Sequence, residues 1–157
     1  MVVAIRSIED DDVIAFVVDV LKSAGFDPVV DGDRVRLHGA GVGSGDHSVD
    51  LVVRVLSVDE VRIVHFESLI RSHPGTFEAV VLAAARGNGS CVVPKFEVVE
   101  DPTLDAVARF RVKATLNLYA DHVSAEEFRV MLHLFVKEVD AIDNELADIL
   151  SERGRPT

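Results

Sequence analysis

The sequence predicts an α+β protein, a single antiparallel sheet with helices packed on one face. Three observations carry this reading. Val107 to Tyr119 alternates, with Ala108, Phe110, Val112, Ala114, Leu116 and Leu118 on one face and Arg109, Arg111, Lys113, Thr115 and Asn117 on the other. Such a strand has one covered face and one wet face. Shorter alternating runs, separated by turn residues, come before it. The chain then closes in a long amphipathic stretch, Ser124 to Glu152, where Phe128, Leu132, Phe135, Val139, Ile142, Leu146 and Ile149 keep an unbroken 4-3 spacing. That spacing is the seam pattern of packed helices.

The elements follow in the order α-β-β-β-(β)-α-β-β-α. A helix is expected from Ile8 to Ala24, capped by Ser7, with Glu9 to Asp12 in its first turn where the helix dipole favours negative charge. Its buried stripe is Val13, Val17, Val20, Leu21 and Ala24, and Gly25 ends it. Pro28-Val29-Val30 leads into the hairpin signal Asp31-Gly32-Asp33, and Arg34 to His38 alternates after it. The two short strands around Asp31-Gly32 could also run as one. A glycine loop spans Gly39 to Gly45. His47 to Leu56 reads as a strand, Ser57-Val58-Asp59 as a turn, and Glu60 to Phe66 as the next strand.

The second helix is expected from Pro74 to Arg86, with Gly87-Asn88-Gly89 as its stop. Two strands follow, Cys91 to Val99 and Val107 to Tyr119, joined through Asp101-Pro102. Ser124 opens the last helix, with Glu127 as its capping-box partner. Residues 1–153 make one domain, and Gly154 to Thr157 a short tail.

Composition narrows the function. The 157 residues carry 27 acids against 16 bases, a net charge of −11. An acidic surface repels phosphate backbones and anionic lipids, so neither nucleic acid nor membrane is an expected partner. Trp is absent and Tyr119 is the single tyrosine, which leaves little for base stacking. No stretch approaches the ~20 apolar residues of a membrane helix, and the opening Met1 to Arg6 is too short for a signal peptide. The expected compartment is the cytoplasm. One cysteine, Cys91, excludes an internal disulfide and a cysteine zinc cage.

Candidate sites are few. Gly39 to Gly45, with Gly41 and Gly43 at its centre, could turn backbone N–H groups toward an anion. It is followed by a strand and lacks the Gly-Lys-Ser/Thr of a phosphate loop, so a flexible connection is the simpler reading. His38, His47, His65, His73, His122 and His133 are scattered, and none forms the i, i+4 pair of a zinc hydrolase. His122 with Glu126 lacks a third ligand nearby, so no metal or other cofactor is expected. Cys91 has no local base or helix N-terminus to activate it and reads as a small residue near the core. Arg109, Arg111 and Lys113 form a basic stripe. It would suit an anion or acidic peptide, or else pair across the sheet with acids such as Glu97. No nucleophile–base pair or carboxylate constellation stands out, so an enzyme is not expected.

The last helix carries the strongest signal. Val130, Met131, Leu134 and Val136 widen its apolar side in the first half, which should lie buried on the sheet. From Glu138 to Glu152 only the seam is apolar, and the segment holds six acids, Glu138, Asp140, Asp143, Glu145, Asp148 and Glu152, and no base. Like charges three or four residues apart cost about 0.2–0.5 kcal/mol per pair, so helix stability does not explain them. At 1.5 Å per residue the helix reaches roughly 43 Å, against a domain diameter of about 40 Å. An overhanging seam of Ile142, Leu146, Ile149 and Leu150 would need a second surface, a twin subunit or a client protein. A solvated, solubilising face is the plain alternative.

The stretches Phe77-Glu-Ala-Val-Val-Leu-Ala-Ala-Ala-Arg-Gly-Asn88, Val112-Lys-Ala-Thr-Leu-Asn-Leu-Tyr-Ala-Asp-His-Val-Ser-Ala-Glu-Glu-Phe128 and Phe135-Val-Lys-Glu-Val-Asp-Ala-Ile-Asp143 resemble the YbjN family. Its members are described as candidate bacterial sensory-transduction regulators, with a fold similar to type III secretion chaperones. In residue pattern the resemblance covers about residues 77–150, and its motifs are structural. It implies a non-enzymatic, dimer-prone module that binds an extended segment of a client, and it supplies no catalytic residue. The expected function is therefore a chaperone-like protein-binding or regulatory module acting in bacterial stress or sensory regulation. The alternative is a small anion- or ligand-binding domain using the glycine loop or Arg109, Arg111 and Lys113.

Overall fold

The computed structural model describes residues 8–37, 51–70 and 74–153. The Ser7 cap, the glycine loop with Gly41 and Gly43, the start of the strand at His47 and the tail from Gly154 lie outside the described residues. The elements are α1 (Ile8–Ser23), β1 (Val29–Asp31), β2 (Arg34–Leu37), β3 (Leu51–Val58), β4 (Val61–Leu69), α2 (Phe77–Ser90), β5 (Lys95–Glu100), β6 (Phe110–Tyr119), a 3-10 turn (Ala120–His122) and α3 (Ala125–Arg153). The strands form one antiparallel sheet in the order β1-β2-β3-β4-β6-β5. The connection through α2 carries the chain past β6 to the far edge.

Local chemistry sets most boundaries. Gly25, at φ +90, closes α1. There Phe26 N–H bonds to Leu21 O and Gly25 N–H to Lys22 O, the paired bonds of a glycine-ended helix. Asp31 pairs with Arg34 across a two-residue turn, and Gly32 takes φ +63. Val58 pairs with Val61, so the expected turn moves to Asp59-Glu60, with Asp59 in the left-handed region at φ 55. Aspartate tolerates that conformation better than most residues. At the head of α3, Ser124 Oγ accepts from Glu127 N–H and Glu127 Oε2 accepts from Ser124 N–H, the reciprocal box expected from the sequence.

The second helix departs from expectation at both ends. Pro74 does not open it. Gly75 forms two backbone bonds with Phe110, which holds this stretch extended, and Thr76 caps α2 by accepting from Ala79 N–H. At the far end Gly87, Asn88 and Gly89 do not stop the helix, which runs on to Ser90. Gly87 is buried against the Phe96 ring, where an added Cβ would sit 2.6 Å from a ring carbon and 3.1 Å from the Ile142 side chain. Asn88 donates to Phe96 O and accepts from Phe96 N–H, both at 2.8 Å. Its side-chain amide thus acts as a strand partner for β5. Tertiary bonds outweigh the poor helix propensity of glycine here.

One core joins the covered sheet face to all three helices. Val35, Val53 and Phe66 lie side by side across β2, β3 and β4 and are fully buried. Val17 and Leu21 of α1 and Phe128, Leu132 and Phe135 of α3 join the same core, and Ala79, Val80 and Ala83 of α2 enter it from the side of β5 and β6. Burying the valine, leucine and phenylalanine side chains contributes about 1.5–3 kcal/mol each.

The expected overhang of the last helix is not found. Ile142, Leu146 and Ile149 are as buried as Phe128, and Leu150 packs against the core and approaches Gly75. The reason is α2, which lies beside the second half of α3 and takes up its seam. The exposed apolar side chains occur instead in the first half, at Val130 and Leu134, 50% and 38% exposed.

The two glycines of α2 give a paired prediction. Gly87→Ala should destabilise the protein by about 1–3 kcal/mol, because the added methyl overpacks a closed contact. Gly89→Ala meets nothing within 4 Å and should stabilise it by about 0.5 kcal/mol through helix propensity. Urea denaturation of the two variants measures both signs.

Candidate functional site on the open sheet face

Among the described residues, the three helices cover one side of the sheet and leave the other side open. Its centre is a polar cluster on β3, β4 and β6. Register sets Arg54 beside His65 and His65 beside Asn117, while Glu67 lies beside Val52 and Thr115. Arg54 donates to Glu67 Oε2 at 2.6 Å, and His65 Nδ1 lies 2.6 Å from Asn117 Oδ1. His65 Nε2 and Lys113 Nζ stand 3.5 Å and 3.6 Å from the same carboxylate. Val52, Leu56, Ile63 and Leu69 lie half-buried between these groups.

The basic stripe expected from the sequence falls on or beside this face, but it is engaged. Arg109 pairs with Glu100 at 2.5 Å and Arg111 with Asp101 at 3.0 Å. Lys113 sits 3.4 Å from Glu97, its register partner on β5. Cross-strand pairing, rather than an open anion site, accounts for Arg109, Arg111 and Lys113. Asp101 also accepts from the Thr103 hydroxyl and backbone N–H. Those bonds, with Arg111, hold its carboxyl below the usual range.

The acids of α3 likewise have work inside the chain. Glu138 accepts from the backbone N–H groups of Val92 and Val93, at 3.1 Å and 2.9 Å, and ties down the loop before β5. Glu145 pairs with Arg86 of α2 at 3.1 Å. Asp143 is buried, Asp140 half-buried and Asp148 exposed. With Ile142, Leu146, Ile149 and Leu150 packed inward, the structure does not assemble these residues into one free surface. Cys91 is half-buried, and burial pushes its thiol up, a Ser90 hydrogen bond opposes this, and the charges of Glu138 and Glu145 add to it. The thiol therefore stays protonated at neutral pH, as a structural cysteine does.

Sequence reasoning missed the arginines of β2 and β3. Arg34 and Arg54 are direct register partners, and Arg36 is paired with Val52, two residues from Arg54. All three share the outward phase of the alternation, which was readable strand by strand. Their juxtaposition was not, because it depends on how β2 meets β3.

A second feature is a cavity of about 420 Å³ between α1 and the end of the sheet, lined by Val13, Phe16, Val64, Ala120 and Val123 with Asp12 and Arg62. Arg62 donates to Asp121 at 2.6 Å. Among the described residues no group of three His, Cys, Asp or Glu side chains could hold a metal ion, and no helix is long and apolar enough to cross a membrane.

No protein-family profile matches the chain. No curated protein matches it either. Among solved structures it is similar to the crystal structure of YbjN from E. coli, described there as a candidate transcription regulator. The sequence identity is 14% and the TM-score 0.55, over 86% of this chain and 91% of that one. The chain therefore has a YbjN-like α+β fold.

Within that fold, Glu67 gives a titratable readout. Burial pushes its carboxyl up, but the Arg54 hydrogen bond and the charges of Lys113, Arg54 and His65 outweigh burial and hold it below the usual range. The stabilisation is complete above the unfolded value, about 4.3 for glutamate, and is lost as pH falls through the lower folded value. Glu67→Gln should lower stability at neutral pH and flatten its decline below about pH 4. Urea midpoints across that range, wild type against variant, measure the difference.

Proposed function

We propose that this chain is a non-enzymatic protein-binding or regulatory module that works in the cytoplasm through the open face of its sheet. The observation that carries the proposal is the one-sided architecture. Three helices seal one face, and the other keeps half-buried aliphatic side chains among ion pairs. Recognition surfaces have this mixture, apolar area for affinity and charge for register. The likeness to a candidate transcription regulator supports a regulatory role, and the chaperone-like client binding implied by the family resemblance suits the same face. A homodimer through the α3 seam would need residues that the fold has already buried, so the proposed partner is a different protein or peptide.

A photo-crosslinking amino acid at Thr115, on the open face, should capture a defined protein partner in cells. The same group at Ala141, on the solvent side of α3, should not. Equal capture from both positions would defeat the reading.

The cavity behind α1 supports a second reading, a small amphipathic ligand with its apolar part against Phe16 and Val123. A thermal-shift panel of apolar amino acids and short carboxylic acids tests it. A ligand at 100 times its Kd should add about 2.7 kcal/mol of stability, and no shift across the panel would leave the cavity as a packing defect.

A further inference from the structure

Charge is segregated by layer in this molecule. The three helices together carry fourteen acids and five bases, while the six strands carry four acids and seven bases. Two copies meeting helix layer to helix layer, or open sheet to open sheet, would bring like charge to like. The strands are the layer with cations in excess, so the surface they complement is acidic.

That excess concentrates at one place. Arg34 and Arg54 face each other directly across β2 and β3, with Arg36 diagonal to Arg54. Like charges directly opposed cost stability unless an anion lies between them. The acids at hand do not fill that role. Asp33 is 3.9 Å from Arg34 and Asp31 is 3.7 Å from Arg36, both too long for hydrogen bonds. Glu67 bonds Arg54 but also serves Lys113 and His65. The Nε–H groups of Arg36 and Arg54, like that of Arg109, are shielded from water and have no hydrogen-bond acceptor among the described residues. Donors therefore exceed acceptors, and each guanidinium offers a fork that matches a carboxylate.

We infer that Arg34, Arg36 and Arg54 form the recognition site for an acidic, extended polypeptide segment of another protein. This rests on the protein-binding reading above and names the partner's chemistry. Arg34 and Arg36 are two residues apart on one strand, about 6.7 Å, and an extended chain with acids at alternate positions repeats that spacing. The neighbouring strand sets Arg54 about 4.8 Å away, near enough to grip the same carboxylates. A short peptide feels this local field because charges beyond about 8 Å are screened at physiological salt. A long nucleic acid would also run against the acidic helices.

The test is fluorescence anisotropy with a labelled peptide of alternating glutamate and alanine. A lysine–alanine peptide and a short oligothymidylate serve as comparators. The glutamate peptide should bind, and raising salt from about 50 to about 300 mM should weaken it. The double variant Arg34→Gln/Arg36→Gln should weaken it at least about tenfold, whereas Arg129→Gln/Lys137→Gln on α3 should leave it unchanged. Both arginines are about two-fifths exposed at the side chain, so the variant should keep its fold, and an unchanged urea midpoint confirms that. The inference is overturned if the glutamate peptide does not bind, if the oligothymidylate or lysine peptide binds as tightly, or if the double variant binds normally. It is also overturned if light scattering shows self-association that the double variant abolishes, since the site's occupant would then be a second copy. Crosslinking at Thr115 with no glutamate-peptide binding would remove this assignment alone. Failure of both would remove the protein-binding reading with it.

Discussion

Phe66 is the contact on which the two layers are registered. It sits near the middle of β4, with β3 on one side and β6 on the other, and is fully buried. Its ring centre lies 5.2 Å from that of Phe128 and 5.9 Å from that of Phe135, two turns apart on α3. Aromatic pairs at these separations hold orientation as well as area. Phe16 meets Phe128 edge-on from α1 at 5.9 Å, so the first helix is keyed to the same point. With α3 fixed on the sheet by its first half, its second half runs beside α2, which packs against β5 and β6. The ring of Phe96 then needs a helix without a side chain at Gly87.

Much of this could be read from the chain. The element order, the alternation of β6, the turn at Gly32 and the capping box of Ser124 and Glu127 all depend on residues close in sequence. The failures share a different character. Gly87-Asn88-Gly89 stays helical because of Phe96, which approaches from another element. The acids Glu138 and Glu145 looked unexplained because Val92, Val93 and Arg86 become their partners only through folding. The α3 seam looked free because its cover, α2, lies far away in sequence. The arginine cluster on the open face was invisible for the same reason, since Arg34 and Arg54 are separated by twenty residues and meet only through strand register.

The two faces of the sheet contribute differently to stability. The covered face is closed and apolar, and its side chains are spent on the fold. The open face has ion pairs of partial exposure, which by themselves contribute little stability. A face of that kind can exchange internal partners for external ones at small cost, because carboxylates offered by another chain replace carboxylates already present. Charge layering adds direction, since it sets what approaches from each side.

The side-chain amide of Asn88 has one more consequence. By bonding the backbone N–H and C=O of Phe96 it covers the start of the outer β5 edge, while β1, only three residues long with Val29 and Val30 exposed, forms the opposite edge. Runaway strand addition requires two receptive edges, because each newcomer must both dock and be docked upon. A newcomer at β5 would have to displace that amide to pair with the start of the strand, which disfavours growth through alternating edges. The amide is in this sense a guard at one end of the sheet.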